Sequence, residues 1–205
     1  MGQIKVTYDV GGIEGLCIIE STVHQDSRGY FMETFNQKDM YEAGIYISFV
    51  QDNQSMSKKG VLRGLHFQKR FPQTKLVRVI KGIIYDVAVD LRIGSPTFSK
   101  HHGVILTADN KKQYLIPRGF AHGFLVLSDE AEFCYKCDDF YHPDDEGGIA
   151  WNDPEIGIQW PELVGEYCGS ADASGYHLSD GSLLIISEKD QKWPGVKVYA
   201  KGAGR

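Results

Sequence analysis

No run in the 205-residue chain is apolar for long enough to cross a bilayer as a helix. The N-terminal MGQIKVTYDVGG also lacks the basic head, apolar stretch and small-residue cleavage site of a secretory leader. A cytoplasmic protein with no membrane attachment is therefore expected. Nor is there an excess of basic residues: 22 Lys and Arg stand against 27 Asp and Glu, a formal charge of −5. That field repels anions, so nucleic acid is not an expected partner, and any bound phosphate needs a local cluster of cations. Cysteine is sparse and scattered, at Cys17, Cys134, Cys137 and Cys168. CYKC at 134–137 has no second pair to complete a zinc site, and on a strand its two thiols would face opposite ways. Reduced thiols are expected at all four, with a disulfide as the alternative. GGIEG at 11–15 matches neither G-x-G-x-x-G nor a P-loop, which removes the nucleotide-binding α/β folds.

What is present is a succession of short strand-like runs, among them EGLCIIES, YFMETF, YISFVQDN, VLRGLHFQ, KLVRVIKG, IIYDVAVDLRI, AHGFLVLS, AEFCYKCDDFY and SLLIISEKD. Turn chemistry such as KKG, GSP, PRG and SDE separates them. Only NQKDMYEAG has a helical pattern, and a short helical turn is expected near the C-terminus. Many strands at close spacing predict an all-β protein, an antiparallel sandwich or barrel, as one domain over residues 1–205. The polar, Gly- and Ser-rich stretch 165–182 is expected as an inserted surface loop.

IPRGFAHGF carries Pro117, Gly119 and His122 in the spacing P-x-G-x-x-H, similar to the second motif of cupins. A cupin metal site also needs a His-x-His pair and a carboxylate, because a divalent metal takes three or four convergent ligands. Here GLHF offers His66 alone, so a barrel without metal leads and a metal-binding cupin is the alternative. In one barrel, His66, Lys75, Asp86, His122, Tyr135 and Asp190 can project into a common apolar lumen, the usual build of a small-molecule site. Each keeps a plainer reading. His66 can be a satisfied structural histidine, Asp86 a partner on an exposed face, Tyr135 a cross-strand aromatic, Asp190 a helix cap and Lys75 a solvated charge. In DSRGYFMETF, Arg28, Phe31 and Glu33 suit a phosphate, a base plane and a ring N–H, or else a salt-bridged turn. Gln51 and Asn53 of QDNQS add amides that can read a base edge.

DSRGYFMETFNQ, SFVQDNQS, GVLRGLHFQ, KLVRVIKG, YDVAVDLR, IPRGFAHGFLVLSDEAEFCYKCDDFYHP, GIAWNDPEIGIQWP and ISEKD occur in one order. Together, over about residues 14 to 193, they resemble the dTDP-4-dehydrorhamnose 3,5-epimerases. The resemblance implies a cupin-like jelly roll of antiparallel strands with a few short helices. It implies a homodimer that needs neither metal nor cofactor. The implied activity inverts two carbons flanking the C4 ketone of a dTDP-linked 6-deoxyhexose. Carried over, His66 is the base, Tyr135 the acid on the opposite face, Asp190 the partner orienting His66, and Lys75 the stabiliser of the enolate oxygen. Asp86 and His122 belong to the sugar pocket. Arg28, Phe31, Glu33, Gln51, Asn53, Arg63, Tyr141, Glu146 and Lys189 match nucleotide contacts, with Tyr141 stacking on thymine and Arg63 clamping the diphosphate. The Arg28 segment is expected to serve the neighbouring subunit. The same motifs leave open a 3-epimerase or 5-epimerase of a related sugar, and a non-catalytic sugar-nucleotide binder. The connection 162–186 before ISEKD is longer than is usual in the family.

One strand raises a geometric problem. Arg63 and His66 are three apart in GVLRGLHFQ, so a regular strand directs them to opposite faces. If both serve one cleft, Gly64 marks a bulge or a bend.

Overall fold

The computed structural model describes residues 3–165 and 173–203. The strands in chain order are β1 (Ile4–Thr7), β2 (Cys17–Ser21), β3 (Val23–Asp26), β4 (Gly29–Met32), β5 (Gln51–Lys58), β6 (Leu62–Gln68), β7 (Lys75–Lys81), β8 (Ile83–Asp90), β9 (His101–Thr107), β10 (Lys112–Ile116), β11 (Phe120–Val126), β12 (Glu130–Cys137) and β13 (Glu146–Gly148). Two-residue strands β14 (Leu163–Val164) and β15 (His177–Leu178) follow, and the helices are α1 (Gln37–Glu42) and α2 (Val196–Ala203). Six strands form one sheet in the order β1-β2-β10-β7-β12-β5, and five form another in the order β13-β6-β11-β8-β9. Every ladder within these sheets is antiparallel.

The two sheets enclose an apolar layer that includes Leu16, Val77, Val79, Tyr114, Ile116, Phe124 and Phe133. Both outer faces are covered as well. Met40 and Ile45 of α1 and its following turn pack with Cys17, Ile19, Leu76 and Leu115 on the six-stranded sheet. Trp151, Trp160, Tyr176 and Val196 pack with Leu65, Val87, Val89 and Leu125 on the other. Burial on both faces explains why FAHGFLV of β11 is buried at all seven positions, whereas the edge strand β5 alternates along most of its length. The chain changes sheets between β7 and β8 at Gly82, whose φ is +80°. A Cβ there would lie 2.1 Å from the Glu130 carbonyl oxygen, so only glycine makes this corner.

The all-β antiparallel architecture agrees with the sequence reading, and α1 falls where NQKDMYEAG placed it. Its N-cap is Asn36, whose side chain accepts from the Lys38 and Asp39 N–H groups. Three local expectations differ. YISFVQDN becomes a strand only from Gln51, because Ile47 and Phe49 pack onto the outer apolar layer instead of joining a ladder. SLLIISEKD forms isolated bridges, not a strand: Ile185 exchanges bonds with Gly60 and Leu62, and the chain then turns at Asp190–Lys192. STVHQD, not expected as a strand, contributes β3 and pairs with β4 in a hairpin. Within the stretch expected as a surface loop, Tyr176 and Leu178 are buried, while positions 166–172, with Cys168, lie outside the described residues.

Candidate active site

The expected irregularity at Gly64 is present. His66 of β6 pairs with His122 of β11 and Arg63 pairs with Phe124, so three steps on β6 match two on β11. That extra residue is a bulge, and it turns Arg63 onto the same inner face as His66. Gly64 has φ +131°, and a Cβ on it would lie 2.6 Å from the Gly123 Cα. The close approach of β6 and β11 at this point requires glycine.

Register fixes the rest of the inner faces. On the six-stranded sheet, Tyr135 of β12 is paired with Val77 of β7 and Asn53 of β5, and Cys137 with Lys75. Side chains paired across a ladder share a face, so Lys75, Tyr135, Asn53 and Gln51 all point inward with the core residue Val77. On the facing sheet His66, His122 and Ala88 form one row, and Arg63, Phe124 and Asp86 another. An imidazole from one sheet and a phenol from the other thus look into the same space.

That space is a cleft of about 830 Å3. It is lined by Arg63, His66, Lys75, His122, Tyr135, Asn53, Tyr141, Glu146, Lys189 and Asp190, with Phe124 and Phe133 as apolar wall. Asp86 lies behind His122, and Gln51 sits at the rim, donating to Asn53 and accepting from the Tyr141 N–H. Arg28, Phe31 and Glu33 are not brought into this cleft by their own chain. Arg28 is 87% exposed and ion-paired to Asp26 at 2.6 Å, and Glu33 accepts from Asn36.

The His66 Nε2 lies 2.6 Å from Asp190 Oδ1. With Nε2–H donating to that carboxylate, Nδ1 keeps its lone pair, 3.9 Å from Glu146 Oε1. Asp190 is buried, and burial alone would raise its pKa. Hydrogen bonds from His66, the Gly64 N–H and the Trp193 indole outweigh burial and hold it below the ordinary carboxylate value. The plainer readings of Asp86 as exposed, Lys75 as solvated and Asp190 as a cap do not hold. Asp86 is fully buried, Lys75 lines the cleft, and the Asp190 carboxylate is turned to His66.

Lys75 has no ion-pair partner among the described residues, and burial pushes its pKa down against the attraction of Cys137, Asp86 and Glu146. Tyr135 is shifted up, by desolvation first and then by Cys137, Tyr141 and Glu146, with Arg63 opposing. It therefore holds its proton at neutral pH. Lys189 donates to Glu146 at 2.8 Å, and Tyr141 donates to the same oxygen at 3.3 Å. Arg63 donates from Nε to Ser57. Ser57 and Trp193 were not anticipated, although Trp193 stands three residues after Asp190, the spacing that brings side chains together across one tight turn. Among the described residues, no three His, Cys, Asp or Glu side chains converge so as to hold a metal ion, and no helix is long and apolar enough to cross a membrane.

Fold and cleft together define a class: a cupin-like antiparallel sandwich whose site sets an Asp-supported imidazole against a tyrosine and a lysine, the equipment of proton transfer. Within that class the chain belongs to the dTDP-4-dehydrorhamnose 3,5-epimerase family, whose model matches residues 11–197. It is 53% identical over 182 residues to a dTDP-4-dehydrorhamnose 3,5-epimerase of Methanothermobacter thermautotrophicus, covering 88% of this chain and 89% of that protein. It is 55% identical to the Escherichia coli enzyme of the same name with the same coverage. A dTDP-6-deoxy-D-glucose-3,5-epimerase from Legionella pneumophila, solved with dTDP-4-keto-L-rhamnose, superposes with a TM-score of 0.83 at 44% identity, covering 95% of this chain and 94% of that one.

Proposed function

We propose that this cleft inverts C3 and C5 of dTDP-4-dehydro-6-deoxy-D-glucose, giving dTDP-4-dehydro-L-rhamnose. The chain is an isomerase. One observation carries the assignment of roles: His66 and Tyr135 stand on opposite sheets and face one cleft. His66 Nδ1 removes the proton next to the C4 ketone, and the C–H electron pair becomes the C=C bond of an enolate as the carbonyl π electrons move to oxygen. Tyr135 then delivers a proton to the same carbon from the opposite side, so the centre inverts. Solvent resets both groups before the second carbon reacts.

A C–H beside a ketone is roughly a dozen pKa units less acidic than imidazolium, which leaves about 16 kcal/mol to offset at 1.36 kcal/mol per unit. Imidazole alone does not supply that. Lys75, lacking an ion-pair partner of its own among the described residues, meets the developing enolate oxygen in a desolvated setting. Asp190 orients His66, and His122, held by Asp86, completes the sugar pocket. Arg63 and Lys189 take the diphosphate end, with Tyr141, Asn53, Gln51 and Glu146 around the nucleotide.

The exposed hairpin β3–β4, bearing Arg28 and Phe31 with Glu33 just after it, is assigned to the cleft of a second copy in a homodimer. The chain acts as one domain in the cytoplasm, a reading supported by the free, buried thiols of Cys17, Cys134 and Cys137.

Turnover in D2O tests the reaction. Deuterium is expected at both C3 and C5. Label at one carbon only would make the chain a mono-epimerase, and no label from a protein that still binds dTDP would leave a sugar-nucleotide binder.

A further inference from the structure

Trp193 lies just beyond the cleft lining, yet it touches the His66–Asp190 pair on two sides. Its indole Nε1–H donates to Asp190 Oδ1 at 3.2 Å, the same oxygen that accepts from His66 Nε2. Its ring stands edge-on to the His66 imidazole, with centroids 6.5 Å apart. The backbone makes room for it. A Cβ on Gly148 would lie 2.4 Å from the indole ring carbons, and Gly148 is the β13 residue paired with His66. The indole is thus seated against the same short ladder that carries the imidazole. The chain beyond it is anchored independently, since Asp153 Oδ2 accepts from the Val196 N–H at 2.6 Å.

We propose that Trp193 is a positioning residue for the epimerisation, fixing the Asp190 carboxylate so that it grips one His66 nitrogen and leaves the other aimed at the sugar. A carboxylate on a single turn after a loop can rotate about its last torsion, and such a terminal torsion is broad. Gly64 N–H binds Oδ2 at 3.4 Å, a long contact. The indole supplies the second fixed donor, to the other oxygen. A donor held by a packed ring restrains the acceptor with little conformational freedom of its own. Only the orientation of His66 depends on this contact, because Trp193 reaches none of the nucleotide-side groups Arg63, Tyr141 or Lys189 through any hydrogen bond.

This inference rests on the assignment of His66 as the base, so its test includes a measurement that needs no turnover. Trp193→Phe keeps most of the ring and removes the N–H. Gly148→Ala leaves the indole intact but drives it from its seat, reaching the same hydrogen bond from the other side. For each, kcat is expected to fall roughly tenfold, the order set by one hydrogen bond to a charged group, with the affinity for dTDP unchanged. The downfield proton resonance of His66 Nε2–H, assigned by its loss in Asp190→Asn, is expected to move in both variants. An unmoved resonance in a variant that binds dTDP normally would overturn the proposal, as would a kcat loss matched by an equal loss of dTDP affinity. A resonance that moves in both variants, when the wild-type protein itself exchanges no substrate proton, would overturn the epimerase reading and leave the Trp193 contact standing.

Discussion

Two Asp–His pairs lie side by side on neighbouring strands, since His66 and His122 face each other across the β6–β11 ladder. In the first, the His66 side chain is 26% exposed and shares one short bond with Asp190, leaving a ring nitrogen open to the cleft. In the second, His122 is 8% exposed, and its Nε2 lies 3.0 Å from both oxygens of a fully buried Asp86. Phe133 stacks on the His122 ring, and burial drives its pKa down in spite of the carboxylate. Identical residue types therefore stand in different settings according to access. An imidazole with a free nitrogen and solvent contact is open to whatever enters the cleft. One sealed by an aromatic face and a bidentate acceptor is held neutral, as part of the wall.

The strongest way to break this contrast is to compare losses of activity. His66→Asn is expected to lower exchange at both carbons by about a thousandfold while dTDP still binds, and His122→Asn by less than about tenfold. Equal losses, measured by deuterium uptake, would mean that both imidazoles are catalytic. Stability sharpens the contrast from the other side. Asp86→Ala strips the partner from a buried donor and is expected to lower unfolding free energy by about 1–3 kcal/mol in denaturant titrations. Asp190→Asn is expected to cost less, because its amide oxygen still accepts from the Trp193 indole and the exposed edge of His66 can turn to water.

The smallest effect concerns acid. His122 has a folded pKa below its ordinary 6.5, so under that pH the unfolded chain takes up a proton that the folded chain refuses. Its contribution to stability is complete above pH 6.5 and is lost as pH falls below it. Melting temperatures of His122→Asn are expected to decline less steeply than those of the parent between pH 6.5 and about 5. Parallel declines would refute the assignment of a neutral, sealed imidazole.

Much of the cleft was legible because its strands carry polar residues where an apolar core would otherwise continue. His66, Lys75 and Tyr135 interrupt such runs, and PRG announced the turn before His122. Gly64 announced the bulge, since a glycine inside a strand has few other uses. Trp193 was not legible, because an aromatic after a turn is as often a core residue as a support for a carboxylate. SLLIISEKD read as a strand from its β-branched residues, but no neighbouring strand offers it a continuous ladder.

Local chemistry by itself determined the class of the fold, the position of α1 and the residue types available for proton transfer, because alternation, capping and turn preference act over a few residues. Tertiary structure alone decided which of them meet. Asp190 reaches His66 across 124 positions, and Tyr135 faces it from the other sheet, contacts set by how two twisted sheets stack and where a chain is anchored. No local period encodes such a distance. The same packing left the Arg28 hairpin outside its own cleft, although its sequence is as rich in binding chemistry as any strand within.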